Sequence, residues 1–225
     1  ILHSWGPLCS WWLDAHATGG AESAAVAEAT NRIPGASITA PGAAPIIASD
    51  ANGRRWISFD GVSTNLTVGS TTDPKSLTVC ALIAVDALPG AMSLVERGPN
   101  YQGAVQGYAL SIIATGEARI SCFSGPYSVA TSNAAYAGGV LVGRLNRALA
   151  AGETSLYSDG APLPYTQTAD GDTGDGVDSD VTNIGGRNGG ASLAFDGRIA
   201  QALVVEAVLS DGQIADLSAL IEARA

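Results

Sequence analysis

Basic residues are scarce in this sequence. Its 225 residues hold 11 Lys and Arg against 21 Asp and Glu, for a formal charge of −10, and Lys75 is the sole lysine. A nucleic-acid backbone demands clustered cations, so no nucleic-acid partner is expected. Nor is there a polybasic cluster to hold an anionic membrane surface. Long hydrophobic runs are missing too: the best stretch, SLTVCALIAVDALPG, is interrupted by Asp86 and Pro89, so no membrane insertion is expected. Cysteine is nearly absent. Cys9, Cys80 and Cys122 are too few, and odd in number, for a disulfide framework. Cys80 and Cys122 sit in the strand-like runs LTVCALI and RISCFS, where a thiol reads as a small buried hydrophobe. The N-terminus lacks the charged start and cleavage pattern of a signal peptide, and it begins without Met, so a processed chain or a piece of a longer one is expected.

What the sequence does contain is 46% hydrophobic residues and 28 glycines, the composition of a turn-rich globular protein. Short strand signals recur between turn signals. RRWISFDG sets Trp56 and Ser58 against Ile57 and Phe59, then turns at Asp60-Gly61. SLTVCALIAVDA places Leu77, Val79, Ala81, Ile83 and Val85 on one face, which should meet a core. YALSIIA, ARISCFS, GGVLVGRL and TSLYSDG follow as further strands, and Asp159-Gly160 suits the positive backbone angles of a hairpin turn. Residues 19–49 differ, being Ala/Gly/Pro-rich without a sustained period. They read as an irregular connection laid over the body, with AESAAVAEA as a short helix.

The C-terminal stretch FDGRIAQALVVEAVLSDGQIADLSALIEARA combines a strand and a helix. Strict alternation puts Ile199, Leu203 and Val205 on one strand face and Ala200, Ala202 and Val204 on the other. Apolar residues on both faces predict a central strand. Ser210 and Gln213 form a capping-box pattern, Asp211 complements the helix dipole, and Ile214, Leu217, Leu220 and Ile221 repeat at helical spacing. No βαβ alternation appears. The expected fold is therefore all-β, a two-sheet antiparallel jelly-roll sandwich with a short C-terminal helix packed on it. Residues 1–10 read as an N-terminal arm and 11–225 as one domain.

Five pieces together resemble the concanavalin A-like lectin/glucanase superfamily in its laminin G-like jelly-roll branch. They are WWLDA (11–15), NGRRWISFDGVSTNL (52–66), LYSDGAPL (156–163), TNIGG (182–186) and FDGRIAQALVVEAVLSDGQIADL (195–217), in the family's order. The resemblance covers residues 11 to 222. The fold it implies hosts lectins, glycosidases, lyases and structural modules, so activity has to be read from a site.

Catalytic hardware is hard to find. Glycoside hydrolysis needs two carboxyls at close range, and the family's hydrolase motif, E-x-D-x-x-E, is missing. Glu96, Glu117, Glu153 and Glu206 each stand alone in their segments, and His3 and His16 lie in the irregular N-terminal region. Glu96-Arg97 reads as a loop ion pair. ADGDTGDGVDSDVTN gathers Asp170, Asp172, Asp175, Asp178 and Asp180, hard oxygen ligands in a Gly-rich loop that suit calcium (Ca2+). The spacing departs from an EF-hand, and the alternative is a solvated acidic loop. Trp11 or Trp12, together with Trp56, is expected to fill the sandwich. Tyr101 and Tyr127 follow Gly-Pro turns and, with Asn183, are the candidate ligand-binding residues.

The expectation is a non-catalytic recognition or assembly domain, glycan-binding or structural, on a phage-like virion or a cell exterior. Its partner would be a glycan or the protein surface of a larger assembly, with oligomerisation open. The competing expectation is a polysaccharide-cleaving enzyme, a hydrolase or lyase of the same fold.

Overall fold

A computed structural model of the chain describes residues 9–69, 76–98, 107–123, 127–149, 151, 153–169, 181–187 and 192–225. Among them, seventeen strands form two antiparallel sheets and one helix closes the chain.

The first sheet is built around β7 (Ser76–Val85) and β17 (Asp196–Val205). On one side of β7 follow β12 (Gly138–Asn146), β13 (Thr154–Ser158) and β14 (Ala161–Pro162). Beyond β17, β5 (Arg55–Asp60) pairs with the first half of that strand and β1 (Cys9–Asp14) with the second, while β4 (Ile46–Ser49) flanks β5. The second sheet runs β15 (Tyr165–Ala169), β11 (Tyr127–Ala135), β10 (Glu117–Phe123), β9 (Gly107–Ile112), β8 (Met92–Arg97), β16 (Thr182–Ile184), β6 (Leu66–Val68), β3 (Ile38–Thr39) and β2 (Glu28–Ala29).

The alternation in β7 works as its sequence implies. Leu77, Val79, Ala81 and Ile83 are buried between the sheets, while Cys80 and Leu82 enter a second apolar layer outside the first sheet. Cys122 is buried between the sheets. Gly143 on β12 is required by packing: a Cβ there would sit 2.7 Å from Cδ1 of Ile120 on the opposing sheet. The turn after β13 uses Asp159 at φ 49° and Gly160 at φ 81°, as its Asp-Gly pair predicts.

Helix α1 (Asp211–Arg224) covers the outer face of the first sheet. The Ser210 hydroxyl accepts from Gln213 N, and Gln213 Oε1 accepts from Ser210 N, so the capping box is formed as expected. Ile214, Leu217 and Ile221 pack with Trp12, Leu82, Val142, Tyr157 and Leu203 in this layer. Each such side chain contributes about 1.5–3 kcal/mol on burial. The helix is a lid on one layer.

Four expectations need correction. AESAAVAEA is not helical: Ala25 bridges to Ile46, β2 pairs with β3, and Ser23 lies at φ 63°. Burial of Val26 and Ala29 in the inter-sheet core outweighs the helix propensity of alanine. The faces of β17 also differ. A bulge between Ile199 and Gln201 inserts Ala200 without a partner on β7 and shifts the parity of the residues beyond it. Ile199 therefore shares the inter-sheet core with Ala202 and Val204, whereas Ala200, Leu203 and Val205 face the helix layer. Trp11 fills the sandwich, but Trp56 belongs with Trp12 in the outer layer. Finally, Glu96 and Arg97 are not a loop pair, because both lie on β8 and Glu96 pairs with Arg187.

Candidate functional site

With α1 over the first sheet, the outer face of the second sheet is the one left without a helix among the described residues. Its inward residues include Leu110, Ile112, Ala118, Ile120, Cys122, Ala130 and Ile184, all in the inter-sheet core. Their alternates point outward in two cross-strand rows. One row runs Asn183, Glu96, Ala109, Ser121, Val129 across β16, β8, β9, β10 and β11. The next runs Ser93, Ser111, Arg119, Thr131. Small side chains occupy the middle of the first row, and in the second Arg119 rises between Ser111 and Thr131.

Here the face carries a pocket of about 220 Å3, lined among others by Ala109, Ser111, Ile113, Leu193, Arg119 and Arg187. Arg119 projects from β10 and donates from Nε to the Thr131 hydroxyl at 3.2 Å. Arg187 follows the β16 turn, and its backbone pairs with Ser192. Its Nε donates to Glu96 Oε1 at 2.5 Å. Glu96 is 1% exposed. Burial pushes its carboxyl above the ordinary glutamate value, and the Arg187 charge and hydrogen bond oppose that rise. Ser93 also favours the ionised form, without making a hydrogen bond of normal geometry. Glu117, two residues before Arg119 on the same face, is held below its ordinary value by a hydrogen bond from the Thr115 side chain, by its own backbone and by Arg119.

A larger groove of about 390 Å3 lies along residues 28–38, but it is the inside of one loop. Asn31 is occupied there in holding the chain: Nδ2 donates to Ala36 O at 2.8 Å, and Oδ1 accepts from Trp12 N and Ile33 N.

Of the residues singled out by sequence, Asn183 does reach the second sheet's outer face, 4% exposed and opposite Glu96. Tyr127 opens β11 opposite Phe123, its side chain outside the described residues. Tyr101, Asp170, Asp172, Asp175, Asp178 and Asp180 all lie outside the described residues. Among the described residues no three His, Cys, Asp or Glu side chains gather as a metal site. The sequence reading missed Arg119 and Arg187. ARIS alternation could have placed Arg119 outward, but the Arg187–Glu96 pair spans 91 positions and leaves no local signal.

No protein-family model and no curated protein matches the chain. Solved structures do match. A Trypanosoma rangeli sialidase in complex with sialic acid superposes at TM-score 0.61 with 18% identity, over 94% of this chain and 32% of that one. The CBM40 of a Ruminococcus gnavus IT-sialidase, bound to alpha2,6 sialyllactose, superposes at 0.52 with 15% identity, over 72% of this chain and 96% of that one. The likeness is one of fold. This chain spans about a third of the sialidase chain it matches, and its sandwich has the same architecture as the carbohydrate-binding domain.

Proposed function

We propose that the chain is a non-catalytic glycan-recognition module of the concanavalin A-like, laminin G-like kind, and that the groove on the second sheet takes an acidic sugar. The observation that carries this is the convergence of Arg119 and Arg187 on one pocket in a chain of net charge −10. A guanidinium fork matches a carboxylate in geometry and charge, which a lysine ammonium does not. Ala109 and Ser111, both small, form part of the pocket's lining. Sialyllactose in the Ruminococcus gnavus domain supports the same class of ligand.

Binding is favoured over cleavage because, among the described residues, no carboxylate lines the pocket: neither Glu96 nor Glu117 is part of its wall. Glycosidic cleavage needs two carboxyls facing the bond at roughly 5–9.5 Å from each other. The module would work in recognition or assembly at a virion or cell exterior, with calcium held by Asp170, Asp172, Asp175, Asp178 and Asp180.

A glycan array tests the reading. The protein is expected to bind sialylated or uronate-bearing glycans, and Arg119→Ala and Arg187→Ala should each weaken binding by at least about tenfold. Equal retention of neutral glycans, or indifference to both substitutions, would overturn it. A parallel array in EGTA tests calcium, and release of reducing sugar would revive the enzyme.

A further inference from the structure

We infer that Glu96 is a positioning residue: it fixes the Arg187 guanidinium at the pocket wall for a ligand carboxylate and does not itself meet the ligand. This rests on the acidic-sugar reading.

Arg187 lines the pocket, whereas Glu96 is not part of the lining and is 1% exposed. The carboxylate therefore lies behind the arginine. Arg187 lies outside the strands, its backbone bridged to Ser192 with N···O distances of 2.9 and 3.4 Å. Its side chain is 12% exposed, so much of an arginine's rotamer freedom has already been given up in the fold. The bond from Nε to Glu96 Oε1 sets the guanidinium plane, because Nε is part of that rigid plane.

Stability alone does not account for this pair. Taking a carboxylate out of water costs energy that one ion pair seldom recovers, and apolar residues of similar volume would serve packing as well. Glu96 Oε2 has no hydrogen-bond partner among the described residues, so part of that cost stays uncompensated there. Asn183 and Ala109, the cross-strand neighbours of Glu96, are uncharged and add no second ion pair. What the buried charge supplies is direction. An arginine held in place loses less entropy when it meets a carboxylate, and affinity follows from that.

The test compares dissociation constants for alpha2,6 sialyllactose and its carboxyl-reduced analogue across wild type, Glu96→Gln, Arg187→Gln and the double variant. Glu96→Gln is expected to weaken the acid about tenfold, to leave the analogue unchanged, and to add nothing in the Arg187→Gln background. A merely structural role would weaken both ligands together. Wild-type affinity for the acid in Glu96→Gln, alongside a loss in Arg187→Gln, would overturn the role of Glu96 and keep the acidic-sugar reading. A wild type that does not distinguish acid from analogue would overturn both. Melting temperatures check the folding of each variant. If Glu96→Gln does not fold, Glu96→Asp takes its place. It keeps the charge but shortens the reach, with the same loss expected.

Discussion

Trp12 donates its indole N–H to Gln201 Oε1 at 2.5 Å, and Gln201 in turn donates from Nε2 to Asp14 Oδ1 at 3.1 Å. These side chains fasten β1 to β17 beside the bulge at Ala200, and Asp14 also pairs with Arg32. Asp14 and Gln201 are both fully buried. Gln201→Leu would strip Trp12 and Asp14 of one partner each. The expected cost is about 2–4 kcal/mol in urea unfolding, with the slope of the transition unchanged. A change below about 0.5 kcal/mol would show the network to be dispensable.

The helix lid depends on its first turn. Ser210→Ala removes one half of the capping box and should cost about 1 kcal/mol, while Ser210→Asp should stay close to wild type. Leu217→Ala, in the layer beneath the helix, should cost about 2–5 kcal/mol. Urea midpoints measure both. Equal effects of the alanine and aspartate substitutions at Ser210 would count against the cap.

Asp60 anchors the loop after β5. Its Oδ1 accepts from the backbone of Val62, Ser63 and Thr64 and from the Thr64 hydroxyl. Burial works to raise its pKa, but these donors together hold it well below the ordinary aspartate range. The unfolded value is about 3.9. The stabilisation is therefore fully present above that pH and is lost as pH falls through the lower folded value. Asp60→Asn should cost about 1–2 kcal/mol near neutrality, after allowing for solvent screening. It should also flatten part of the acid limb in urea midpoints taken from about pH 6 to about pH 2.5. An unchanged acid limb would remove Asp60 from the account.

Ser111 sits at the floor of the pocket between Ser93 and Arg119. Ser111→Trp should fill the groove and abolish the glycan binding proposed above while shifting the melting temperature by only a few degrees, because the side chain faces outward. Titration calorimetry beside a thermal melt separates the two. Full binding by this variant would place the ligand elsewhere on the sandwich.

Much of the fold could be read along the chain because its causes are local. The period-two burial of β7, the Asp159-Gly160 turn and the Ser210–Gln213 box each depend on residues within a few positions of one another. Asn183 reaches the site's sheet face through its own strand, but its pairing opposite Glu96 is invisible along the chain. Where a single inserted residue acts, as at Ala200, periodicity misassigns every side chain beyond it until the register with β7 is known.

The sequence by itself determined that this is an acidic, turn-rich all-β chain ending in a capped amphipathic helix, because composition, alternation and capping are short-range properties. Tertiary structure alone decided which sheet face the helix covers. It also brought Arg119 and an Arg187 bonded to Glu96 to one pocket on the other sheet. Residues 91 positions apart become neighbours only when strand order is set, and strand order is fixed by the burial of the whole core and not by any one segment.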